Sequence, residues 1–415
     1  MSAADQTTGR GLGRRRLLRS GAVALAGAGA GWAGSAAARA ADGAAPPAAA
    51  DDVLTISPPD GAETVPYLGP HQAGVATPPQ AHLVLLGLDL VDGTDTDDLR
   101  RLLRVVGDDA ARLTQGEPAL SDTEPELAPR PSRLTVTIGL GPRVVDELVP
   151  GDLTLAPLPS FSTDRFEEPW GQTDLALQLC ADDPTTLAHA RRMLLKDTAS
   201  FATVRWVQTG FRSARGSQPD GTTMRNLMGQ VDGTVNPAQA DGDFADLVWA
   251  DGPGAFAGGT VMVVRRIRSE MDTWDKVSRQ GKELAVGRRL DTGAPLTGTA
   301  EHDEPDFDAV DDNGLKVIDA ASHIARARSD DPAERFLRRG YNYQVHRDDG
   351  TDDAGLVFTV FCADAERQFV PVQRRLAQQD RLNEWITTIG SAVYAVPPGV
   401  ASTDDAPGLA LLEES

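Results

Sequence analysis

The densest group of chemically versatile side chains lies between residues 225 and 237, in the sequence Arg-Asn-Leu-Met-Gly-Gln-Val-Asp-Gly-Thr-Val-Asn-Pro. Its acid, Asp232, lies between Gly229 and Gly233. Glycines let the main chain approach a ligand closely, so such a loop can hold a carboxylate over a flat cofactor. The pattern is weak by itself, because Asp-Gly is also common in plain turns.

A second group combines an imidazole with arginines. His323 begins the sequence His-Ile-Ala-Arg-Ala-Arg, and Arg338 and Arg339 follow it within the next sixteen residues. An imidazole is a frequent metal ligand, and a guanidinium stabilises developing negative charge. None of the six histidines pairs with another at His-x-x-x-His spacing, which argues against a histidine zinc site. Cys180 and Cys362 are the only cysteines, too few for a disulfide framework, a cysteine zinc cage or an iron–sulfur cluster.

Further motifs accompany these two groups in a fixed order. Near the start is Gly-Pro-His-Gln-Ala-Gly from residue 69, and after Pro237 come Val-Arg-Arg-Ile-Arg from residue 264, Trp274, Gly287-Arg288, Asp-Thr-Gly-Ala-Pro-Leu from residue 291, His-Ile-x-x-Ala from residue 323 and Leu-Arg-Arg-Gly-Tyr from residue 337. From about residue 55 to about residue 400, the set resembles the dye-decolorising peroxidase family, and within it the Tat-exported branch that includes the deferrochelatase-type proteins.

The resemblance implies an α+β fold of two ferredoxin-like domains, with one haem b in the C-terminal half. No Cys-x-x-Cys-His is present, so the haem would be held non-covalently. His323 matches the proximal iron ligand of the family. Asp232 matches the distal acid, and Arg338 matches the distal arginine, with Arg339 as the alternative. Strand alternation allows only one of the two arginines to face the haem.

Other positions are expected to contact the cofactor or to support its ligand. They are Gly233, Thr234 and Arg289, the distal wall residues Leu356 and Phe358, and Glu384 as the carboxylate that accepts a hydrogen bond from the proximal imidazole. Asp364 and Asp380 are alternatives to Glu384. Such a carboxylate would make the imidazole more electron-rich.

The implied reaction is the cleavage of hydrogen peroxide, followed by oxidation of organic electron donors such as dyes and phenolics. An aspartate with an ordinary pKa near 4 is largely ionised at neutral pH, so its use as a proton shuttle predicts an acidic optimum. The alternative function is haem handling, by a deferrochelatase or a haem carrier in iron acquisition, which needs His323 but neither Asp232 nor Arg338. A third alternative is a catalytically empty ferredoxin-like dimer. The sequence leaves open which Trp or Tyr relays electrons, and whether the chain forms a homo-oligomer.

Apolar periodicity predicts the order β-α-β-β-α-β twice. In the first set, strands are predicted at 81–89, 134–139, 174–180 and 203–209, with helices at 97–114, 142–148 and 184–195. In the second, strands are predicted at 260–268, 341–346, 356–363 and 392–396, with helices at 273–280, 366–377 and 383–388. The stretch 291–313 is acidic and aperiodic, which favours a long, solvated surface excursion.

Short matches suggest that the two sets are copies of one unit. Leu-Gln-Leu-Cys-Ala-Asp from residue 177 precedes one predicted helix, and Val-Phe-Cys-Ala-Asp from residue 360 precedes another. The predicted domains are therefore residues 56–220 and the haem-binding residues 221–400, followed by a C-terminal tail over 401–415.

The first forty residues have the features of an export signal. Arg14, Arg15 and Arg16 precede an Ala- and Gly-rich apolar stretch that ends in Ala-Arg-Ala at residues 38–40. This pattern predicts a Tat signal peptide over 1–40 and a flexible lead-in over 41–55, hence passage through the Tat translocase and a secreted or periplasmic protein. The whole chain has 40 basic and 61 acidic side chains, a formal charge of −21, which makes nucleic acid an unfavourable partner.

Overall fold

The computed structural model describes residues 60–413, so the predicted signal peptide and lead-in lie outside the described residues. The strands are β1 (His82–Leu90), β2 (Thr135–Leu140), β3 (Leu175–Ala181), β4 (Ala202–Phe211), β5 (Thr260–Ser269), β6 (Leu337–Arg338), β7 (Tyr341–His346), β8 (Asp352–Cys362) and β9 (Ile386–Val396). The helices are α1 (Thr96–Thr114), α2 (Pro142–Leu148), α3 (Pro184–Thr198), α4 (Phe244–Val248), α5 (Met271–Trp274), α6 (Arg279–Val286), α7 (His323–Ala327) and α8 (Ala365–Gln379). Within this range, no helix is both long enough and apolar enough to span a membrane.

The strands form two antiparallel groups with the same internal order. The first group is ordered β2-β3-β1-β4, and the second is ordered β9-β5-β8-β7, with β6 beside the far end of β8. Numbered from the start of its own group, each has the order 4-1-3-2 of a ferredoxin-like unit. Cys180 lies in β3 and Cys362 in β8, the third strand of each unit. The predicted α+β fold of two ferredoxin-like units is therefore confirmed.

Single bridges join the two groups of strands into one sheet. Leu140 of β2 pairs with Ala395 of β9, and Phe211 of β4 pairs with Asn342 of β7. Between the groups lies an apolar core to which both contribute, including Leu85 and Trp206 from the first and Val357, Phe361 and Tyr394 from the second. The helices α1, α3 and α8 pack on the opposite sides of the strands. The central strands of both groups therefore present one face to the shared core and the other mainly to a helical layer.

The end of the chain also packs against the first helical layer. Leu409–Leu412, which lie in the predicted tail, form a short 3-10 turn with Leu409, Leu411 and Leu412 buried in the same core as α1. Arg100 of α1 donates a hydrogen bond to the carbonyl oxygen of Leu412 (2.9 Å). Burial of these three leucines stabilises an ordered end of the chain, where composition alone predicts a tail.

Two predicted helices of the second unit are wrong. The predicted helix 383–388 is a 3-10 turn, Arg381–Glu384, followed directly by β9, because Ile386, Thr387, Thr388 and Ile389 include four β-branched side chains that favour an extended strand. The predicted helix 273–280 is broken into α5 and α6. Ser278 begins α6, since its hydroxyl accepts a hydrogen bond from the Gly281 amide (3.2 Å).

Two carboxyl groups meet where α1 packs against α3. Asp109 is almost completely buried, and its side chain accepts a hydrogen bond from the Leu120 amide (2.8 Å). Oδ2 of Asp197 is buried and accepts no hydrogen bond from residues 60–413. Burial and the neighbouring Asp109 raise the pKa of Asp197 well above its usual range. A protonated Asp197 can donate to Asp109, so the pair stabilises the helix interface only while it shares a proton.

We expect the Asp197→Asn substitution to remove a pH dependence of folding stability. The folded chain binds this proton more tightly than the unfolded chain, so the free energy of unfolding falls as pH rises above about 4, until Asp197 ionises in the folded state. The asparagine variant keeps a donor toward Asp109 at every pH and should be more stable than the parent at alkaline pH. Urea denaturation across the pH range measures this, with exposed Asp246→Asn as the control. Parallel pH profiles for Asp197→Asn and the parent would contradict it.

Candidate active site

A tight loop holds Asp232. The main chain doubles back through a bridge between Arg225 and Val231, and the Asp232 amide donates to the carbonyl oxygen of Met224 (2.8 Å). Gly233 has a φ of +132°, in the region that glycine adopts without strain, which explains the glycine directly after the acid. The Asp232 carboxylate is about one quarter exposed, so it faces accessible space and is not buried in the core.

Arg338 meets this loop from strand β6. Its guanidinium Nη1 lies 3.7 Å from Oδ1 of Asp232. Asn236 holds the arginine, because its Oδ1 accepts hydrogen bonds from both the main-chain amide and Nε of Arg338 (3.1 Å each) and its Nδ2 donates to the Arg338 carbonyl oxygen (2.7 Å). Asn236 is part of the sequence motif, but its type and position alone did not indicate this contact.

Arg339 points to the other side of the strand. Its side chain is almost completely buried and donates to the carbonyl oxygen of Thr77 and to Oε1 of Gln80. Arg338 pairs with Val360 of β8 and therefore shares a face with Phe358 and Leu356. Alternation along the strand thus directs Arg338, and not Arg339, toward Asp232.

The face of β8 beside Arg338 is partly open. Leu356 and Phe358 are only half-buried, although Val357 and Thr359 between and beside them are fully buried and β8 lies inside the sheet. An interior strand with accessible large apolar side chains on one face is what a flat, apolar ligand requires. The predicted wall residues thus lie on the same face as Arg338.

His323 is the first residue of α7, and its ring is about one third exposed. Its Nδ1 donates a hydrogen bond to Oδ2 of Asp380 (2.6 Å), because a carboxylate can only accept. Asp380 is buried between α8 and the following turn, and its Oδ1 accepts from the Leu382 amide (2.9 Å). With Nδ1 engaged, Nε2 is the nitrogen left to bind a metal.

The predicted partner of His323, Glu384, is therefore wrong, and the alternative Asp380 is correct. Glu384 is exposed at the far end of the 3-10 turn, whereas Asp380 stands at its beginning. The other alternative, Asp364, caps α8 through the Arg367 amide (3.1 Å). The predicted helix 383–388 is instead a 3-10 turn and a strand, and this backbone path brings Asp380, and not Glu384, to His323.

Opposite charges act on the His323 imidazole. Burial opposes its protonation, but the Asp380 carboxylate outweighs burial and raises the pKa of His323. Asp232 also raises this pKa and Arg338 lowers it, both through space. The distal and proximal residues predicted from the sequence are therefore close enough to interact electrostatically, although they come from separate parts of the chain.

Gly287 explains how α7 is seated. It ends α6 with a φ of +90°, and a Cβ at this position would lie 2.6 Å from Cγ1 of Ile324. Only glycine combines this left-handed conformation with such a close approach. The glycine of the Gly-Arg motif thus lets α6 pack against the helix that begins with His323.

Two other predicted cofactor contacts have different surroundings. The Thr234 hydroxyl donates to Oε1 of Glu301 (3.0 Å). Arg289 is exposed, and its main-chain amide donates to the carbonyl oxygen of Ala294 (2.8 Å), so its contact with a cofactor stays a prediction. The neighbouring Arg288 is buried instead, and the charge of Arg338 contributes to lowering its pKa after the larger effect of burial. The Gly287-Arg288 motif indicated this segment, but it did not show which of the two arginines is buried.

Family models match both halves of the chain. The model described as Dyp-type peroxidase, N-terminal, matches residues 72–212, and the model described as Dyp-type peroxidase, C-terminal, matches residues 223–401. The chain belongs to the Dyp-type peroxidase family. The resemblance inferred from the motifs is thereby confirmed, and the chain is a peroxidase of a family that binds haem.

Relatives support the same assignment over most of their length. A dye-decolorizing peroxidase of Thermobifida fusca is 37% identical, with 94% of this chain and 95% of the relative covered. A deferrochelatase of Escherichia coli K12 is 35% identical, with 86% and 89% covered. The crystal structure of a DyP-type peroxidase from Cellulomonas bogoriensis is 50% identical and superimposes with a TM-score of 0.81, covering 85% of this chain and 99% of that one.

Proposed function

We propose that this chain cleaves hydrogen peroxide at a haem held by His323, with Asp232 and Arg338 acting on the peroxide from the opposite face, and that it oxidises organic donors such as dyes and phenolics. One observation carries the proposal. Asp232 and Arg338 lie 3.7 Å apart, beside the half-open apolar face of Leu356 and Phe358. A haem-binding site without peroxide chemistry has no need of an acid and a guanidinium placed together.

The residues present fit a non-covalent haem. Nε2 of His323 is the free nitrogen for iron, and Asp380 would fix the ring orientation and increase the donor strength of the imidazole. Leu356 and Phe358 would pack against the flat face of the macrocycle. When bound, the haem supplies the iron that takes up peroxide and the electrons that reduce it.

Asp232 is proposed to move the proton. Hydrogen peroxide must lose a proton from one oxygen and gain one on the oxygen that leaves as water. A single carboxylate can accept the first proton and deliver it to the second oxygen, provided that its position is fixed. The Asp232 amide donates to the carbonyl oxygen of Met224, and Nδ2 of Asn226 donates to Oδ2 of Asp232 (3.4 Å). These two hydrogen bonds fix the direction of the carboxylate.

Arg338 is proposed to bind peroxide and to stabilise the negative charge that develops on the departing oxygen. Asn236 fixes the guanidinium, because its Oδ1 accepts hydrogen bonds from both the main-chain amide and Nε of Arg338. Nη1 of Arg338 lies 3.7 Å from Oδ1 of Asp232. A donor fixed in advance stabilises charge without having to reorganise during the reaction.

We expect Asp380→Asn to weaken haem binding. The neutral amide no longer accepts the imidazole proton as a carboxylate does, and removal of such a partner typically lowers affinity by roughly 10- to 100-fold. Titration of the haem-free protein with haem, followed by absorbance, measures the dissociation constant. Glu384→Gln is the matched control and should bind haem like the parent. Equal affinities for all three proteins would contradict the role given to Asp380.

We expect Asp232→Ala and Arg338→Ala to slow the reaction with peroxide by roughly 10²- to 10⁴-fold while haem stays bound, because proton transfer and charge stabilisation are each lost. Stopped-flow absorbance of the haem after mixing with peroxide measures the rate, and exposed Asp246→Ala serves as the control. Unchanged rates in both site variants would refute the peroxide-cleaving role.

The second candidate function is haem handling in iron acquisition, based on the similarity to a deferrochelatase. The rates with peroxide, together with haem binding, distinguish it from the peroxidase. This function requires His323 but not the Asp232–Arg338 pair. It would be supported if His323→Ala abolished haem binding while the two distal variants behaved like the parent. The close placement of Asp232 and Arg338 favours the peroxidase.

We further propose that the chain is exported by the Tat pathway to a secreted or periplasmic location, on the strength of Arg14, Arg15 and Arg16 before the apolar stretch. The Tat translocase carries folded proteins, which suits an enzyme loaded with its cofactor before export. We expect replacement of all three arginines by lysine to keep the protein inside the cell. Fractionation and immunoblotting of the native host measure its location, and Arg39→Lys is the control. Export of the triple-lysine variant would exclude the Tat route.

A further inference from the structure

Glu301 connects the acidic excursion to the loop of Asp232. Its Oε1 accepts hydrogen bonds from the hydroxyls of Thr223 (2.6 Å) and Thr234 (3.0 Å). The Glu301 side chain is only about one quarter exposed, although most of the acidic residues around it are open to solvent. Hydrogen bonds to an ionised acceptor are roughly twice as strong as neutral ones. This part of the excursion is thus attached to the site, whereas composition predicts a solvated insertion.

The two threonines lie on opposite arms of the loop. Thr223 precedes Met224, whose carbonyl oxygen accepts from the Asp232 amide, and Thr234 lies two residues after Asp232. Between the arms, a Cβ at Gly233 would lie 3.3 Å from Cγ2 of Thr223. A single carboxylate oxygen therefore joins the arms at the point where Asp232 leaves the loop.

Glu301 is itself held from the buried side. Arg288 donates through Nη1 to the carbonyl oxygens of both Glu301 and Gly293 (2.7 Å each). Glu301 lies in a turn that Asp303 stabilises, because Oδ2 of Asp303 accepts hydrogen bonds from the Thr299 and Ala300 amides (2.7 and 2.9 Å). These contacts fix the main chain of Glu301, so its carboxylate serves as a rigid attachment point and does not simply follow the loop.

We infer that Glu301 is a positioning residue for Asp232: by joining Thr223 and Thr234, it fixes the direction in which the distal carboxylate meets peroxide. The inference rests on the proposed function of Asp232. The loop contains Gly229 and Gly233, both with positive φ. Met224 and Met228 are buried, but residues 231–234 are only partly buried, so the segment that carries Asp232 depends on polar contacts such as this junction. Misplacement of a proton-transfer group by about 1 Å can reduce a rate by about 10²-fold.

The test compares Glu301→Ala, Glu301→Gln and Glu304→Ala in the haem-loaded enzyme. Alanine removes both hydrogen bonds and should lower the second-order rate with hydrogen peroxide by roughly 10- to 100-fold. Glutamine keeps a carbonyl oxygen for both hydroxyls and should restore most of the rate. Glu304 is an exposed acid of the same excursion that pairs with Arg328 (3.0 Å), and its removal should leave the rate unchanged. The KM for the organic donor should stay constant in all three.

Amide hydrogen exchange of the haem-free protein provides a readout that does not depend on activity. We expect faster exchange over residues 224–236 in Glu301→Ala, with parent-like exchange in Glu301→Gln and the same melting temperature in both. Thr234→Val deletes one of the two donors, and its effect on the rate should not add to that of Glu301→Ala.

The inference is overturned if Glu301→Ala reacts with peroxide like the parent, if Glu301→Gln is as slow as Glu301→Ala, or if the alanine variant melts globally at a lower temperature. An Asp232→Ala variant measured in parallel separates the two hypotheses. If it is slow and Glu301→Ala is not, the positioning role fails and the proposed function stands. If Asp232→Ala reacts like the parent, the proposed role of Asp232 in proton transfer fails, and the exchange data alone decide whether Glu301 joins the arms of the loop.

Discussion

The alternation of side chains along β8 and its neighbour β6 is the constraint on which the site depends. Val357 and Phe361 enter the core shared by the two ferredoxin-like units, so Leu356 and Phe358 must face away from it. The same alternation places Arg338 on the outer face and Arg339 on the inner one. A shift by one residue in the pairing of β6 would bury the wrong arginine, so the register of a two-residue strand determines which guanidinium meets Asp232.

Around this fixed face, the site is assembled from segments with little regular structure. Asp232 is held by main-chain hydrogen bonds of its loop, Arg338 by Asn236, and His323 by Asp380. In each case the residue that acts in the reaction is held by polar groups to which no step of the reaction is assigned. The sheet fixes the position of the open face of β8, and these polar groups fix the orientations of the side chains around that face.

Much of the fold could be predicted from the sequence, because apolar alternation and helical periodicity are strong in both units. Of the nine strands, seven were predicted within a few residues of their limits, and β9 was predicted only over its second half. The helix predicted for the segment before it is wrong. The spacing of Leu382, Trp385 and Ile386 is helix-like, but the β-branched residues that follow favour a strand, and pairing within the sheet stabilises that strand. The very short β6 carries no periodic signal at all.

The site was predicted less evenly, for a physical reason. Asp232, His323 and Arg338 stand in motifs whose residue types suit one chemistry, whereas their partners are ordinary polar residues chosen by distance. Asp380 and Glu384 are both acids near the same turn, and only the path of the backbone separates them. Arg288 and Arg289 are adjacent and identical, so nothing in their type shows which is buried. Glu301 lies among many acids, and only its two threonine donors distinguish it.

The duplicated strand order has a consequence for how such an enzyme can diverge. His323, Glu301 and Arg288 all lie in the connection between β5 and β6, outside the repeated β-α-β-β-α-β framework. The corresponding connection of the first unit, between β1 and β2, is shorter by about a third. Length and sequence in the long connection can therefore change without disturbing the pairing within either group of strands. The framework stays stable while this one elongated connection acquires new chemistry.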